Sequence, residues 1–363
     1  MRYRVGELVD SISKKCDFKT DKIIFLNTSD IEDGKIVNNN CYKISDLPGQ
    51  AKKKIKNGDI LFSEIRPKNK RYALVENIDE TNYVVSTKLM VLRNKDSKVL
   101  NMKYFYYFLT SPKMLRYLQS EAEARSGTFP QITFKDNIYP ITINLPSLAE
   151  QNKIVKNIDS IVNKIKNNQK INTNLLQLSQ IMFKNKFPNV NDGPDKIGAY
   201  IRNYDKDRKP LSKKQRSKMP GKYRYIGATS VNDYIAKYNF DGIYLLLGED
   251  GTVQDINGYP VLQYIHGKFW PNNHAHVLQG NKVSTEWLYL FFLQRNIEGI
   301  ITGAVQKKIS QKNLNSLSVT MPNNEELSKF DNIIQPIFEQ IRTLEEENER
   351  LLEIKRELLT NLF

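Results

Sequence analysis

The side chains able to do chemistry are few. Three histidines occur in the 363 residues, His266, His274 and His276. His274 and His276, two positions apart, would point to one face of a strand, where two imidazoles can in principle ligate a metal ion. No cysteine and no clustered glutamate completes a ligand set in the sequence, so the expectation is no metal and a polar loop that contacts a ligand or satisfies its own hydrogen bonds. Glu249-Asp250, inside Gly248-Glu249-Asp250-Gly251, admits two readings. It is either a magnesium carboxylate pair or a turn beside DNA whose carboxylate accepts from a cytosine amine. Glu353-Ile354-Lys355 mimics part of a nuclease signature but falls in a heptad-patterned helix, which makes it a coincidence of spacing. Methyl transfer to DNA requires an Asp/Asn-Pro-Pro-aromatic loop and a glycine-rich turn for the donor, and neither Asn144-Leu145-Pro146-Ser147 nor Pro271-Asn272-Asn273 fits. A Gly-x4-Gly-Lys-Ser/Thr phosphate loop is also missing. The sequence therefore predicts no catalytic residue and no cofactor in this chain.

What the sequence does offer is positive charge. Lysine and arginine total 55 against 40 aspartates and glutamates, a net charge of +15, which favours a polyanionic partner. The candidate contacts are Lys52, Lys53, Lys54, Arg66, Lys68, Lys70, Arg71 and Arg125 in the first part of the chain. Lys213, Lys214, Arg216, Lys222, Arg224, Lys307 and Lys308 follow in the second, with Glu249, Asp250, His274, His276 and Gln306 beside them. The clusters suit phosphates, whereas Arg66, Arg224, His274 and Gln306 have the directional groups that read base edges. Hydrophobic residues at 40% and charged residues at 26% describe an ordinary globular protein. The longest apolar run, Trp287 to Leu293, is far shorter than the roughly 18 residues of a membrane span. The start Met1-Arg2-Tyr3-Arg4 has no apolar stretch behind it to act as a secretory signal, so the expected location is cytoplasmic. Cys16 and Cys41 make neither a disulfide framework nor a zinc site.

Charge is distributed by segment. Residues 1–145 and 191–321 carry +8 and +7, residues 146–190 carry +5, and residues 322–363 carry −5. Residues 146–190 and 322–363 each show an apolar seam at alternating steps of four and three. In the first, Ile154, Ile158, Ile161, Ile165, Leu175 and Met182 are interrupted by Asn168, Asn172 and Ser179. In the second, Phe330, Ile334, Ile337, Ile341, Leu344, Leu351, Leu358 and Leu362 are interrupted by Asn348 and Lys355. Opposite charge and matching seams predict two long helices packed on each other. Pro336 should kink or delay the second.

The two seams superpose with a constant shift that pairs Ile154 with Phe330, Ile165 with Ile341, Asn172 with Asn348 and Met182 with Leu358. Upstream, Ser126-Gly127 matches Thr302-Gly303, Met90-Val91-Leu92 matches His276-Val277-Leu278, and Gly58-Asp59-Ile60-Leu61-Phe62 matches Gly242-Ile243-Tyr244-Leu245-Leu246. The chain is a tandem duplication. Runs such as Tyr83-Val84-Val85 and Leu89-Met90-Val91-Leu92 predict short strands, and helices should close each module near 102–119 and 285–297. The predicted class is α+β: mixed modules over 1–145 and 196–321, long helices over 146–187 and 322–363, and a breaker-rich linker over 188–195. A helix of about 40 residues rises about 60 Å, and two of them packed antiparallel would form a spacer between two basic heads related by an internal pseudo-two-fold. Such a two-fold suits two half-sites on duplex DNA, roughly 34 Å or one helical turn apart. A buried Asn172 and Asn348 would fix the helix register; the alternative is a tolerated surface break.

The stretch Asn144-Leu145-Pro146-Ser147-Leu148-Ala149-Glu150-Gln151-Asn152-Lys153-Ile154-Val155 resembles the start of the central conserved helix in specificity subunits of type I restriction-modification systems. Leu351 to Phe363 is similar to the distal conserved helix of that family. Gly248-Glu249-Asp250-Gly251, Asn272 to Leu278 and Gly303 to Ser310 are similar to segments of its target-recognition domains. The resemblance implies recognition of a split double-stranded DNA target by two target-recognition domains. It also implies docking of two methyltransferase subunits, which hold S-adenosylmethionine, on the paired helices, with restriction and translocase subunits joining through them. A standalone two-headed DNA-binding protein is the alternative from residues alone.

Overall fold

The structure is a computed structural model that describes all residues except 16, 17, 19, 126–128, 304 and 305. Cys16, the Ser126-Gly127 pair and Ala304-Val305 of the repeat motifs lie outside the described residues. Cys41 is exposed and reduced. No helix among the described residues is long and apolar enough to cross a membrane.

Two compact units form, Met1–Lys166 with Glu349–Phe363, and Asn167–Asn348. Their boundaries run inside both long helices, whereas the sequence pattern puts them at the helix ends. Each head therefore folds together with one end of each helix.

The first unit contains β1 (Arg2–Arg4), β2 (Val9–Ser11), β3 (Lys22–Leu26), β4 (Cys41–Lys43), β5 (Ala51–Lys54), β6 (Ile60–Ser63), β7 (Tyr72–Leu74), β8 (Tyr83–Ser86), β9 (Leu89–Asn94) and β10 (Thr142–Asn144). They pair in the orders β4-β3-β8-β5, β2-β9-β6-β7 and β1-β10. The second contains β11 (Asp195–Lys196), β12 (Ile201–Asn203), β13 (Pro220–Ile226), β14 (Val231–Ile235), β15 (Phe240–Asp241), β16 (Tyr244–Gly248), β17 (Leu262–Ile265), β18 (Lys268–Pro271), β19 (Ala275–Gly280) and β20 (Ser318–Val319). Their orders are β14-β13-β18-β15, β12-β19-β16-β17 and β11-β20. These three sheets have the same topology in both units, including one parallel pair in each, β3 with β8 and β13 with β18, and the first unit adds a two-stranded hairpin of Ile31–Glu32 with Lys35–Ile36. Register corrects the upstream match by one residue. Val91 faces Leu61 and Val277 faces Leu246, so Leu61 corresponds to Leu246, not Leu245.

Besides short helical turns at Val5–Leu8 and Gln311–Asn315, the helices include α1 (Met102–Leu109), α2 (Pro112–Arg125), α3 (Leu148–Lys186), α4 (Lys213–Ser217), α5 (Thr285–Leu293) and α6 (Asn324–Leu362). Asn101 caps α1 and Ser284 caps α5 through side-chain oxygens that accept from backbone N–H groups. The helix expected over 102–119 breaks at Thr110-Ser111, and Pro112 starts a new one, where its missing N–H does no harm. The helix expected to close the second module stops at Leu293. Pro336 neither delays nor ends α6, which runs through it without interruption. Asn332 and Pro336 lie on the exposed face, where water can take the carbonyl that proline leaves without a donor.

In the second unit, α3 and α6 run antiparallel. The rings of Phe183, Phe187, Trp287 and Phe330 meet edge to face at 5.0 to 6.1 Å, and Ile334, Phe338 and Ile341 continue the buried row with Leu175, Met182 and Ile337 half-buried beside it. The buried asparagine pair is Asn168 with Asn348. Asn168 Nδ2 donates to Asn348 Oδ1 at 3.0 Å and to Glu347 at 2.7 Å, while Asn172 Nδ2 reaches the Ile341 carbonyl at 3.1 Å. In the first unit Val155, Ile158 and Leu359 are buried, Ile154 and Leu358 pack on them, and Phe363 sets its ring against Tyr104 and Phe108. Ile165 is buried, Ile161 and Leu351 are half-buried, and Leu362 is exposed.

Replacing one member of the asparagine pair strands the other in an apolar layer. Asn168→Leu should lower stability by about 1–3 kcal/mol in urea unfolding, and Asn168→Leu with Asn348→Leu should recover most of it. Equal losses in the single and double variants would disprove a direct pairing.

Candidate nucleic-acid interface

Three segments far apart in sequence converge in the second unit. The Gly248–Gly251 turn leaves β16, Asn272–Ala275 enters β19, and Lys307–Ser310 ends the third motif. Glu249 N–H donates to the His274 carbonyl at 2.9 Å, Ile309 N–H to the Glu249 carbonyl at 2.8 Å and Gly251 N–H to the Lys307 carbonyl at 3.0 Å. A bridge between Asp250 and Lys308 completes this frame.

Beneath it lies a buried ion network. His276 Nε2 donates to the Ile309 carbonyl at 2.9 Å and Nδ1 faces Asp205 Oδ2 at 2.6 Å. Arg208 bonds Glu249 Oε2 at 2.7 Å and lies 3.6 Å from Asp205, and Lys308 Nζ is 3.5 Å from Glu249 Oε1. The lack of clustered glutamates in the sequence is misleading, because folding brings ligand atoms of Asp205, Glu249 and His276 within 4.8 Å of one another, a group able to hold a metal ion. Here Arg208 supplies positive charge to both carboxylates and Lys308 adds to it at Glu249. His274 and His276 do not share a face. His274 precedes the strand and is exposed, with Nδ1 against Asp250 at 2.5 Å, whereas His276 is buried.

Burial pushes the Asp205 carboxyl up, but the hydrogen bond and charge of His276, the Val277 N–H and the Gln311 amide outweigh it and hold the group down at about 2. A carboxyl lowered on folding contributes stability that is complete above its unfolded pKa of about 3.9 and is lost as pH falls through the folded value.

Above the network the exposed groups are His274, Gln306, Lys307 and Lys308, with Asp250 half-buried among them. Beside them opens a cleft of about 350 Å³ lined by Ser212, Arg216, Asn232, Asn272, Asn273 and His274. Asn272 is buried and accepts from the His274 N–H at 2.9 Å, which fixes this wall. Sequence reasoning passes over Asn232 and names Asn272 and Asn273 only within the segment Asn272 to Leu278, not as contacts; an Asn-Asn-His run beside a strand is the available signal. Several predicted contacts are already committed. Arg216 binds Asp233 and the Leu211 carbonyl and lies 4.6 Å over the Tyr225 ring, Arg224 donates to the His266 carbonyl at 2.6 Å, and Lys222 sits over Tyr223. Lys213 and Lys214 stay exposed on α4, with no ion pair among the described residues.

The first unit repeats the frame. Glu64 N–H donates to the Lys88 carbonyl at 3.2 Å, Ile132 N–H to the Glu64 carbonyl at 2.8 Å and Arg66 N–H to the Pro130 carbonyl at 3.1 Å, with a bridge between Ile65 and Gln131. Lys53 is buried and donates to the Leu89 carbonyl at 2.8 Å, and Arg71 donates to the Ile31 carbonyl at 3.0 Å, so both are tied to the fold. Lys68, Lys70 and Arg125 pair at the surface with Glu123, Asp33 and Asp136. Lys52, Lys54 and Arg66 have no hydrogen bond or ion pair from their side chains among the described residues, and Lys54 is half-buried.

Of the seam residues, Ile158, Ile165, Asn168, Phe330, Ile334, Ile341, Leu344 and Asn348 are buried, Ile154, Ile161, Asn172, Leu175, Met182, Ile337, Leu351 and Leu358 are half-buried, and Leu362 is exposed. The apolar residues that α3 exposes in the second unit lie off the seam: Ile171 at 44%, Leu178 at 46% and Ile181 at 58%. Their seven- and three-residue spacing puts them on one face. They are visible in the sequence as apolar positions left over once the seam is assigned.

The ion network predicts a pH signature. Between about pH 4 and pH 2 the unfolding midpoint of the native chain should fall more steeply than that of Asp205→Asn, which lacks the titrating carboxyl. Parallel curves would show that Asp205 is not held ionised by His276.

The family model described as "Type I restriction modification DNA specificity domain" matches residues 1–177 and 201–356. The type I restriction enzyme HindI specificity subunit of Haemophilus influenzae is 43% identical over 186 residues, covering 51% of this chain and 40% of that protein. A putative type I restriction enzyme specificity subunit from the same strain is 28% identical over 159 residues, covering 44% and 37%. The matches thus span about two fifths of the length of these relatives. The crystal structure of the type I restriction-modification S subunit from M. genitalium aligns over 100% of this chain and 96% of that one with a TM-score of 0.54 at 17% identity, a likeness of fold. With its two copies of one topology and a family match across nearly its whole length, the chain belongs to the type I restriction-modification DNA specificity family.

Proposed function

We propose that this chain recognises a double-stranded DNA target made of two half-sites at a fixed gap, one read by each unit, and docks two DNA methyltransferase subunits, through which restriction and translocase subunits join. The chain itself is non-catalytic and cytoplasmic on this reading. S-adenosylmethionine belongs to the methyltransferase subunits. The observation that carries the proposal is the repeated backbone frame: each unit gathers the same three segments and presents cations or hydrogen-bonding side chains above them. Family membership supports the same reading. Lys52 in the first unit and Lys213, Lys214 and Lys307 in the second are placed for phosphates, which position the protein on DNA without reading sequence. The exposed Ile171, Leu178 and Ile181 face is the docking surface on α3, and the seam beneath it holds the helices together.

The test is selection of duplexes from a randomised DNA library by the chain co-expressed with its methyltransferase subunit. Two short motifs at a constant gap are expected; enrichment without any motif would refute sequence recognition, and two motifs captured by the chain alone would favour the standalone reading. Lys213→Ala with Lys214→Ala should reduce the salt slope of binding by about 2 and leave both motifs unchanged. Leu178→Asp with Ile181→Asp should abolish co-purification of the methyltransferase without lowering the unfolding midpoint. Ile158→Asp should instead unfold the first unit, because it buries a charge in the core.

A further inference from the structure

The two copies of the frame differ at one backbone position in a way that points to a reading residue. Gly251 has φ of +78°, in the left-handed region where glycine is at ease, and its N–H donates to the Lys307 carbonyl. The counterpart of Gly251 in the first unit is Arg66, whose N–H donates to the Pro130 carbonyl and whose φ is +45°. The neighbouring bridges fix this correspondence, because Asp250 with Lys308 and Ile65 with Gln131 occupy the same place in the two frames.

A residue with a Cβ is thus held in a conformation that disfavours it, although a glycine satisfies the same frame in the other copy. Strain of this kind persists where the surrounding structure enforces it and the side chain is needed. The Arg66 side chain is exposed and makes no hydrogen bond or ion pair among the described residues, whereas its neighbours Lys68, Lys70 and Arg71 are all paired.

We infer that Arg66 reads a guanine in one of the two half-sites. The planar guanidinium presents two parallel N–H donors in a fixed fork that matches O6 and N7 of guanine in the major groove, whereas a lysine ammonium can reach the same atoms only as a rotatable point charge, with less geometric discrimination. The frame supplies what such a contact requires, because three backbone segments fix the base of the side chain while its tip stays free. This inference rests on the DNA reading proposed above.

The experiment is duplex selection with the chain and its methyltransferase subunit together, comparing the native chain with Arg66→Gly, Arg66→Ala and Arg66→Lys. Arg66→Gly and Arg66→Ala should lose preference for guanine at one position of one half-site, by about 10- to 100-fold, and Arg66→Lys should keep part of it, with the other half-site and the gap unchanged. Arg66→Gly should unfold at a denaturant concentration no lower than the native chain, so its loss of preference cannot be attributed to misfolding. An unchanged motif in Arg66→Gly would overturn the inference, as would equal weakening of both half-sites. Full guanine preference in Arg66→Ala would assign that position to another residue and overturn it too. If the native chain selects no motif, the underlying DNA reading fails, a result distinct from a native motif that the variants leave intact.

Discussion

The structure depends on one constraint: each head completes its core with one end of both long helices, and for the first head one of those ends comes from the far end of the chain. In the first unit the last turns of α6 supply Leu358, Leu359 and Phe363 to the cluster that holds Val155, Ile158, Tyr104 and Phe108. In the second, the last turn of α3 and the residue after it supply Phe183 and Phe187 to the cluster that holds Trp287, Phe330 and Ile334. Burial of these side chains removes large apolar areas from water, so each head is stabilised by the same residues that pair the helices there. Polar contacts add direction. Tyr107 donates to Asp159 of α3 in the first unit, and Tyr264, Arg342 and Glu286 join β17, α6 and α5 in the second. Apolar packing brings the elements together, and these directional bonds restrict how they turn against one another.

Within that scaffold the repeated frame separates backbone from chemistry. The same hydrogen bonds recur around Glu64 and Glu249, but the residues beneath and above them differ. His276 stands where the first unit has Met90, so only the second unit has the Asp205, Arg208 and Glu249 network around that strand position. A common frame with different side chains is what two different half-sites would require on the proposed reading. Sequence recognition can then diverge between the copies without a change of fold.

Much of this is legible in sequence because it is periodic. The seam residues, the duplication and the two long helices follow from the spacing of apolar side chains, a property that local sequence carries directly. The one-residue error near Leu61 arises because flanking loops differ in length and only strand register fixes the match. For another reason Pro336 does not delay the helix: its effect depends on which helix face it occupies, and the exposed face tolerates the missing donor. The ion network is illegible because Asp205, Glu249 and His276 are far apart in sequence and meet only through the ends of β12, β16 and β19. Likewise, charge in the basic runs says nothing of which cations fold back on carbonyls, as Lys53, Arg71 and Arg224 do.

That last point changes the meaning of the net charge. An excess of +15 draws a polyanion toward the whole surface, but attraction spread over exposed lysines is screened by salt and is nearly indifferent to base sequence. Discrimination needs side chains whose orientation is fixed before DNA arrives, because an unconstrained arginine gives up part of its binding free energy in ordering its own rotamers. The frame meets that need at few positions. His274 is oriented by Asp250, Asn272 holds the backbone of the adjoining wall, and the Arg66 backbone is tied to Pro130. On the proposed reading, most of the cations contribute to capture, and the few oriented groups on the frame contribute to choice.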